Sequence, residues 1–340
     1  METTWFVLWG LLWGIYFMLD GYDLGAGILM PFVAKNENDR KKIFNAIGPF
    51  WDGNEVWLIT AGGVTFAAFP GTYAVMFSAL YTPLMLILFA LIFRGAGLAL
   101  REEATGERAR NSWDWMFIIG SFLAALLLGV AFGNIFKGIP IDYQGIFQGN
   151  LFTLLNPYGL LAGVLFLLFF IIHGAIWLAF KTKGELQKRC GDLAWRLWSG
   201  LVTASIAFLG LSALQTHLWA IYARNSLLFI VPLITVLSLL TMGHFLKRKS
   251  WKNAWFASSL YILSATLFGV IGIYPALLPS SLNEAYSRTI HNTASSPMTL
   301  KIMLVVALIF VPLVLIYQAW TYKVFAGKVG GDESGYHGGI

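Results

Sequence analysis

WFVLWGLLWGIYFMLDGYDLGAGILMPFV, residues 5–33, decides how the chain is read. Its first fifteen residues carry no charge, and the run is long enough to cross the roughly 30 Å hydrocarbon core of a bilayer as a helix. It then places Asp20 and Asp23 where a bilayer tolerates acids poorly. An acid at mid-membrane costs about 2.5 to 3.5 kcal/mol on insertion scales, so the pair asks the helix to absorb roughly 5 to 7 kcal/mol. At 1.5 Å per residue Asp20 lies about 22 Å beyond Trp5, in the far half of the core. The run is too long and too polar at its end for a cleaved signal peptide, and it lacks a positive start or a small-residue cleavage site. It is therefore expected to remain in the mature protein.

The rest of the 340-residue chain agrees with a bilayer as solvent: 58% of it is hydrophobic and 12% charged, where a soluble domain carries roughly a quarter charged residues. Apolar stretches give nine expected helices over about 5–33, 51–69, 72–97, 114–135, 157–180, 196–218, 226–246, 254–275 and 299–324. The reading is an all-α polytopic membrane protein, with residues 1–340 as one membrane domain. Pro70 and Gly71 are expected to turn the second span back into the third. The basic residues from Lys35 to Lys42, Arg94 to Arg110, Lys181 to Arg196 and Lys247 to Lys252, with Lys323 and Lys328, fall on one set of alternate connections. Only Lys137, Arg224, Arg288 and Lys301 fall on the other. Positive residues accumulate inside, so the N-terminus is expected outside and the C-terminus in the cytoplasm. The net charge of +6 is then topology rather than a nucleic-acid surface. Many of the 14 Trp and 13 Tyr lie near span ends, as interfacial anchors do.

Four acids stand in or beside the first two spans: Asp20 and Asp23, then Asp52 and Glu55 in GPFWDGNEVWLITAGG. Each pair is spaced i, i+3, which puts both side chains on one helical face, and both pairs fall toward the cytoplasmic side. Together they suggest proton transfer or a cation bound through oxygen at Asp20, Asp23 and Asp52, with Glu55 the weaker member and Asp23 and Asp52 the candidate cation ligands. At close range they would not all ionise, and a shared proton or a cation would relieve the repulsion. Plainer roles stand beside these. Asp52 and Glu55 have the spacing of a capping box, and Asp23 before Gly25 and Gly27 could serve a frayed helix end. Gly21 and Gly25 allow close helix contact or local unwinding. His173, His217, His244, His291 and His337 show no paired-ligand spacing, and His173 reads as a satisfied interior residue or one at a partner interface. Cys190, the single cysteine, reads as an ordinary thiol in a cytoplasmic loop. No phosphate loop or nucleophile triad occurs. The residues alone fit an ion-coupled secondary transporter, a subunit of a proton-linked complex, or a structural scaffold.

FMLDGYDLGAGILMPF (17–32), IGPFWDGNEVWLITAGG (47–63), FAAFP (66–70), HGAIWLAFKTKGEL (173–186), YPALLPS (274–280), ASSPMTLKIM (294–303) and YKVFAGKV (322–329) resemble, in order over nearly the whole chain, subunit II of cytochrome bd quinol oxidase, including its cyanide-insensitive bd-type members. The resemblance implies two four-helix bundles plus a peripheral helix in a prokaryotic cytoplasmic membrane. It implies a partner, subunit I, that holds two b-type haems, haem d and the quinol-oxidising site, while subunit II supplies no haem iron ligand. The complex would oxidise quinol and reduce dioxygen to water, building proton-motive force without pumping. Asp20, Asp23 and Asp52 take the family's acidic positions. Some members hold a structural quinone in subunit II, or a small single-helix subunit beside it.

Overall fold

The computed structural model describes residues 1–329, and His337 lies outside them. The chain is built from helices in the order α1 Glu2–Val33, α2 Glu37–Ile47, α3 Trp51–Ala68, α4 Pro70–Ala79, α5 Tyr81–Leu100, α6 Glu107–Lys137, α7 Leu151–Leu154, α8 Pro157–Lys181, α9 Gly184–Gln215, α10 Leu218–Arg224, α11 Ile230–Lys247, α12 Trp251–Gly272, α13 Ile290–Thr293 and α14 Pro297–Val324. Eight helical segments among the described residues are long and apolar enough to cross a membrane. α3 forms over the expected second span but is not one of them, because Asp52, Asn54 and Glu55 occupy its first turns.

α1 is the axle. It packs against α3, α6, α8 and α12, and from Leu19 to Met30 every residue is buried. Two glycines at one helix crossing set the depth of this packing. A Cβ at Gly25 would run into the Phe170 carbonyl oxygen, and one at Gly174 would lie 2.6 Å from the Gly25 carbonyl carbon. Backbone therefore meets backbone between α1 and α8, and the glycines serve close contact rather than unwinding. α14 is the opposite case, since Leu300 is its only fully buried residue.

The expected third span, 72–97, is not one helix. It breaks at Leu80 between α4 and α5, because Pro83 has no N–H for the Ala79 carbonyl and its ring crowds that group. Phe69 leaves helical geometry before Pro70, and past the second break at Leu80 α5 returns to the first turns of α3, where Arg94 meets Glu55. Cys190 is a second correction. It lies inside α9 and is fully buried rather than in a loop, because the helix starts at Gly184, well before the expected 196.

α2, which follows α1 at the basic end of the bundle, is capped by Asn36, whose side chain accepts from Asp39 N at 2.9 Å. Arg101 clamps it to the α5–α6 connection, donating to Asp114 Oδ1 at 2.5 Å and to both Glu37 oxygens at 2.8 and 2.9 Å. Burial pulls the Arg101 guanidinium down, but Asp114 and Glu37 outweigh it and hold it above its ordinary value. At the other end, strands β1 (Ala276–Leu278) and β2 (Arg288–Thr289) pair antiparallel. Beside them Asp142 ties a loop by accepting from Gln144 N, Ile146 N and Gln148 Nε2.

Candidate functional site

The two acidic segments meet as expected, but through residues that the spacing did not name. Asp20 has no exposed surface and is held by Arg94, which donates from Nη1 to Oδ2 at 2.8 Å and from Nη2 to Oδ1. The same Nη1 reaches Glu55 Oε1 at 3.2 Å. Arg94 is itself fully buried, so it is not one of the residues marking the cytoplasmic loops, as its place in the charge pattern suggested. It lies more than a turn inside α5, where among the described residues its ion-pair partners are the acids of α1 and α3. One guanidinium thus faces Asp20 and Glu55 directly with Asp23 nearby, which leaves negative charge for a proton or another cation to balance.

Asp23 lies inside α1 and is fully buried, not at a frayed end. Its Oδ2 accepts from Asn54 Nδ2 at 2.7 Å, whereas Oδ1 is buried without a partner. Asn54 Nδ2 also lies 2.8 Å from Tyr22 Oη and 3.2 Å from the Leu19 carbonyl oxygen. Tyr22 Oη is 2.7 Å from Tyr322 Oη of α14.

Asp52 is exposed, near Glu55 but outside the hydrogen bonds of this cluster among the described residues. The capping box does not form: the α3 N-cap is Phe50 and no side chain caps it. Asp52 falls one residue inside the helix, past the cap position, and Glu55 turns to Arg94 instead of back to the free N–H groups. Asp52 opens instead on a cavity of about 550 Å³ whose lining includes Asn45, Asn54, Glu102, Glu103, Gln318 and Tyr322. The acids therefore divide into Asp20 and Asp23, fully buried, Glu55, half-buried beside them, and Asp52, exposed at the cavity. Among the described residues no three His, Cys, Asp or Glu side chains converge to hold a metal ion.

His173 is interior and satisfied, with Nδ1 2.7 Å from Ser258 Oγ and Nε2 2.9 Å from the Met18 carbonyl oxygen. Arg94, Asn54, Tyr22 and Tyr322 are the members that reading the sequence missed. Arg94 carried a signal: it interrupts LILFALIFRGAGLAL, where a charge inside an apolar run calls for a buried partner.

The comparisons extend over the same residues. The family model described as cytochrome bd terminal oxidase subunit II matches residues 1–325. Cytochrome bd ubiquinol oxidase subunit 2 of Bacillus subtilis is 34% identical, over 98% of both chains. Cytochrome bd-I ubiquinol oxidase subunit 2 of Escherichia coli is 37% identical, over 97% of this chain and 95% of that one. In the solved bd oxidase of Geobacillus thermodenitrificans one chain has the same fold, with a TM-score of 0.74 at 19% identity, covering 95% of this chain and 98% of that one. With its match running from the first residue through the end of α14, the chain belongs to the cytochrome bd terminal oxidase subunit II family.

Proposed function

We propose that this chain, within a complex that oxidises quinol and reduces dioxygen to water, supports the haem-bearing subunit I and carries protons toward it from the cytoplasm. In this reading the single membrane domain spans the bilayer nine times, as two four-helix bundles plus a peripheral helix, with the N-terminus outside. The haems, the quinol-oxidising site and the electrons stay in subunit I. Quinol protons leave on the outer side and chemical protons enter through this chain, so charge separates without pumping.

Asp23 carries the proposal. A buried carboxylate with one unpartnered oxygen, one side chain away from a cavity lined by Asp52, Glu102 and Glu103, is a place for a proton to stop. Asp52 at the cavity wall suits the entrance, and the Asp20–Arg94–Glu55 group sets the charge behind it. A hard cation would ask for six or more oxygen ligands, and the Asp20 oxygens are already taken by Arg94, so the donor set favours a proton over a metal. The exposed side of α3 offers a seat for the partner: a Cβ at Gly62 or Gly63 meets nothing within 4 Å, and bare glycines let another helix approach closely.

The test is Asp23→Asn in the complete complex. Quinol-driven oxygen consumption should fall about tenfold or more, the order of effect expected for a lost acid or base, with haem content near normal. Unchanged turnover would remove the proton role, and loss of haem would assign Asp23 to assembly.

A further inference from the structure

Hydrogen bonds through Tyr322, Tyr22 and Asn54 run from the cavity to Asp23. Asn54 and Tyr322 line the cavity, and Asp23 lies buried behind Asn54. The Asn54 amide nitrogen has two hydrogens but three oxygens in range: Asp23 Oδ2 at 2.7 Å, Tyr22 Oη at 2.8 Å and the Leu19 carbonyl at 3.2 Å. Three acceptors thus compete for two hydrogens, the Leu19 carbonyl being the most distant, and the amide is held by competing bonds. Beside it, either of the Tyr22 and Tyr322 hydroxyls can donate to the other. Each ring is fixed by stacking, Tyr22 on Trp177 at 4.4 Å and Tyr322 on Phe50 at 4.7 Å.

A hydroxyl can accept a proton on one side while releasing its own on the other. The amide nitrogen of Asn54 cannot, because it only donates. Hydrogen bonds thus join the cavity to Asp23, but the amide interrupts the conducting part. Removing that interruption needs little space. A water in place of Nδ2 would be within hydrogen-bond reach of both Tyr22 Oη and Asp23 Oδ2.

We infer that Tyr322 and Tyr22 form a two-hydroxyl proton relay out of the cavity and that Asn54 gates it, closing it when the amide stands between Tyr22 and Asp23. The relay rests on the reading of Asp23 as a proton acceptor. A hydronium ion in the cavity gives its proton to Tyr322 Oη while the Tyr322 hydrogen moves to Tyr22 Oη. The Tyr22 hydrogen passes to the water that has replaced the amide, and that water releases a hydrogen to the Asp23 carboxylate. Both phenols and the water end neutral, one water remains in the cavity, and no phenolate is formed. The Asn54 amide is a positioning group, and the hydroxyls carry the proton.

The experiment compares Tyr322→Phe, Tyr22→Phe, Asn54→Leu, Asn54→Ala and Asp23→Asn in the complete complex in liposomes. Quinol-driven oxygen consumption is measured per haem in light and heavy water, so that incomplete assembly does not imitate slow proton delivery. The phenylalanine variants keep the stacked rings and should each slow turnover about tenfold, with a larger solvent isotope effect. Asn54→Leu, which leaves neither an amide nor room for water, should slow it similarly, and Asn54→Ala, which leaves room, should turn over faster than Asn54→Leu. If Asp23→Asn is slow while both phenylalanine variants keep the wild-type rate and isotope effect, the relay is wrong and the role of Asp23 stands. If Asp23→Asn is itself unimpaired, the reading on which the relay rests is what fails.

Discussion

Arg94→Leu tests whether the buried acids are held by charge. The substitution leaves Asp20, which has no exposed surface, facing an apolar side chain. Removing one partner of a buried ion pair costs about 3 to 5 kcal/mol, against about 0 to 1 kcal/mol for an exposed pair. Glu55 also loses its guanidinium, but its side chain is 23% exposed and can turn to water, so it adds little. Asp20→Asn keeps the shape and leaves Arg94 its contact with Glu55, so it should cost less, about 1 to 3 kcal/mol. The double variant removes both charges together. If the single costs come from an orphaned charge, the double should be less destabilised than the sum of the singles by at least about 1 kcal/mol. Dodecyl sulfate titration of the complex in mixed micelles, followed by tryptophan fluorescence, gives the three free energies. At about 1.4 kcal/mol per tenfold, Arg94→Leu should shift the folded-to-unfolded ratio by a hundredfold or more. Singles that add in the double to within about 0.5 kcal/mol would refute the reasoning.

Gly25→Ala should destabilise the α1–α8 crossing by about 1 to 3 kcal/mol or more, since the added methyl meets the Phe170 backbone, which has no rotamer to change; near-normal yield and heat stability of the complex would contradict this. Lys181 donates to the Phe325 and Gly327 carbonyls, so Lys181→Met should speed protease cleavage within residues 325–329 by about tenfold, and equal cleavage would show that the tail is held otherwise. The Ile146 N–H, with the other donors around it, holds the Asp142 carboxyl below its ordinary range. A carboxylate depressed in the folded state contributes stability present above its unfolded pKa of about 3.9 and lost as pH falls through the folded value. Amide exchange at Ile146, corrected for its intrinsic pH dependence, should therefore quicken in strong acid, and an unchanged protection factor down to pH 3 would count against the tie.

The helices were legible wherever apolar length alone specifies them, as at Pro157–Lys181 and Pro297–Val324, which match the expected 157–180 and 299–324 closely. The break at Leu80 was not, because the 72–97 run stays apolar through Pro83 and only backbone geometry shows that the proline ends the first piece. The acids were found by what a bilayer charges for them. Their organisation was not, because it depends on pairings across the bundle: Arg94 lies 74 residues from Asp20, and Tyr322 lies 300 residues from Tyr22. Counting charges per connection favours the orientation signal, and that same habit put Arg94 in the wrong solvent. Asn54 is uncharged, so an inventory of titratable groups passes over it although it touches more of the site than any acid does.

α14 is fastened like a beam at its two ends. Near one end the Leu300 carbonyl accepts from Trp5 and the preceding Ser295 bonds to Ala67 and Ala68; near the other, Gln318 bonds to Trp57 and Gly53, and Tyr322 to Tyr22. Between the fastenings the helix is largely exposed, and Pro312 leaves the Leu308 carbonyl without its helical partner, giving the beam a soft point. A pinned beam takes up load by bowing at its middle while its ends keep their register. A change in bilayer thickness is then absorbed around Pro312, and the hydroxyl at position 322 stays at its post.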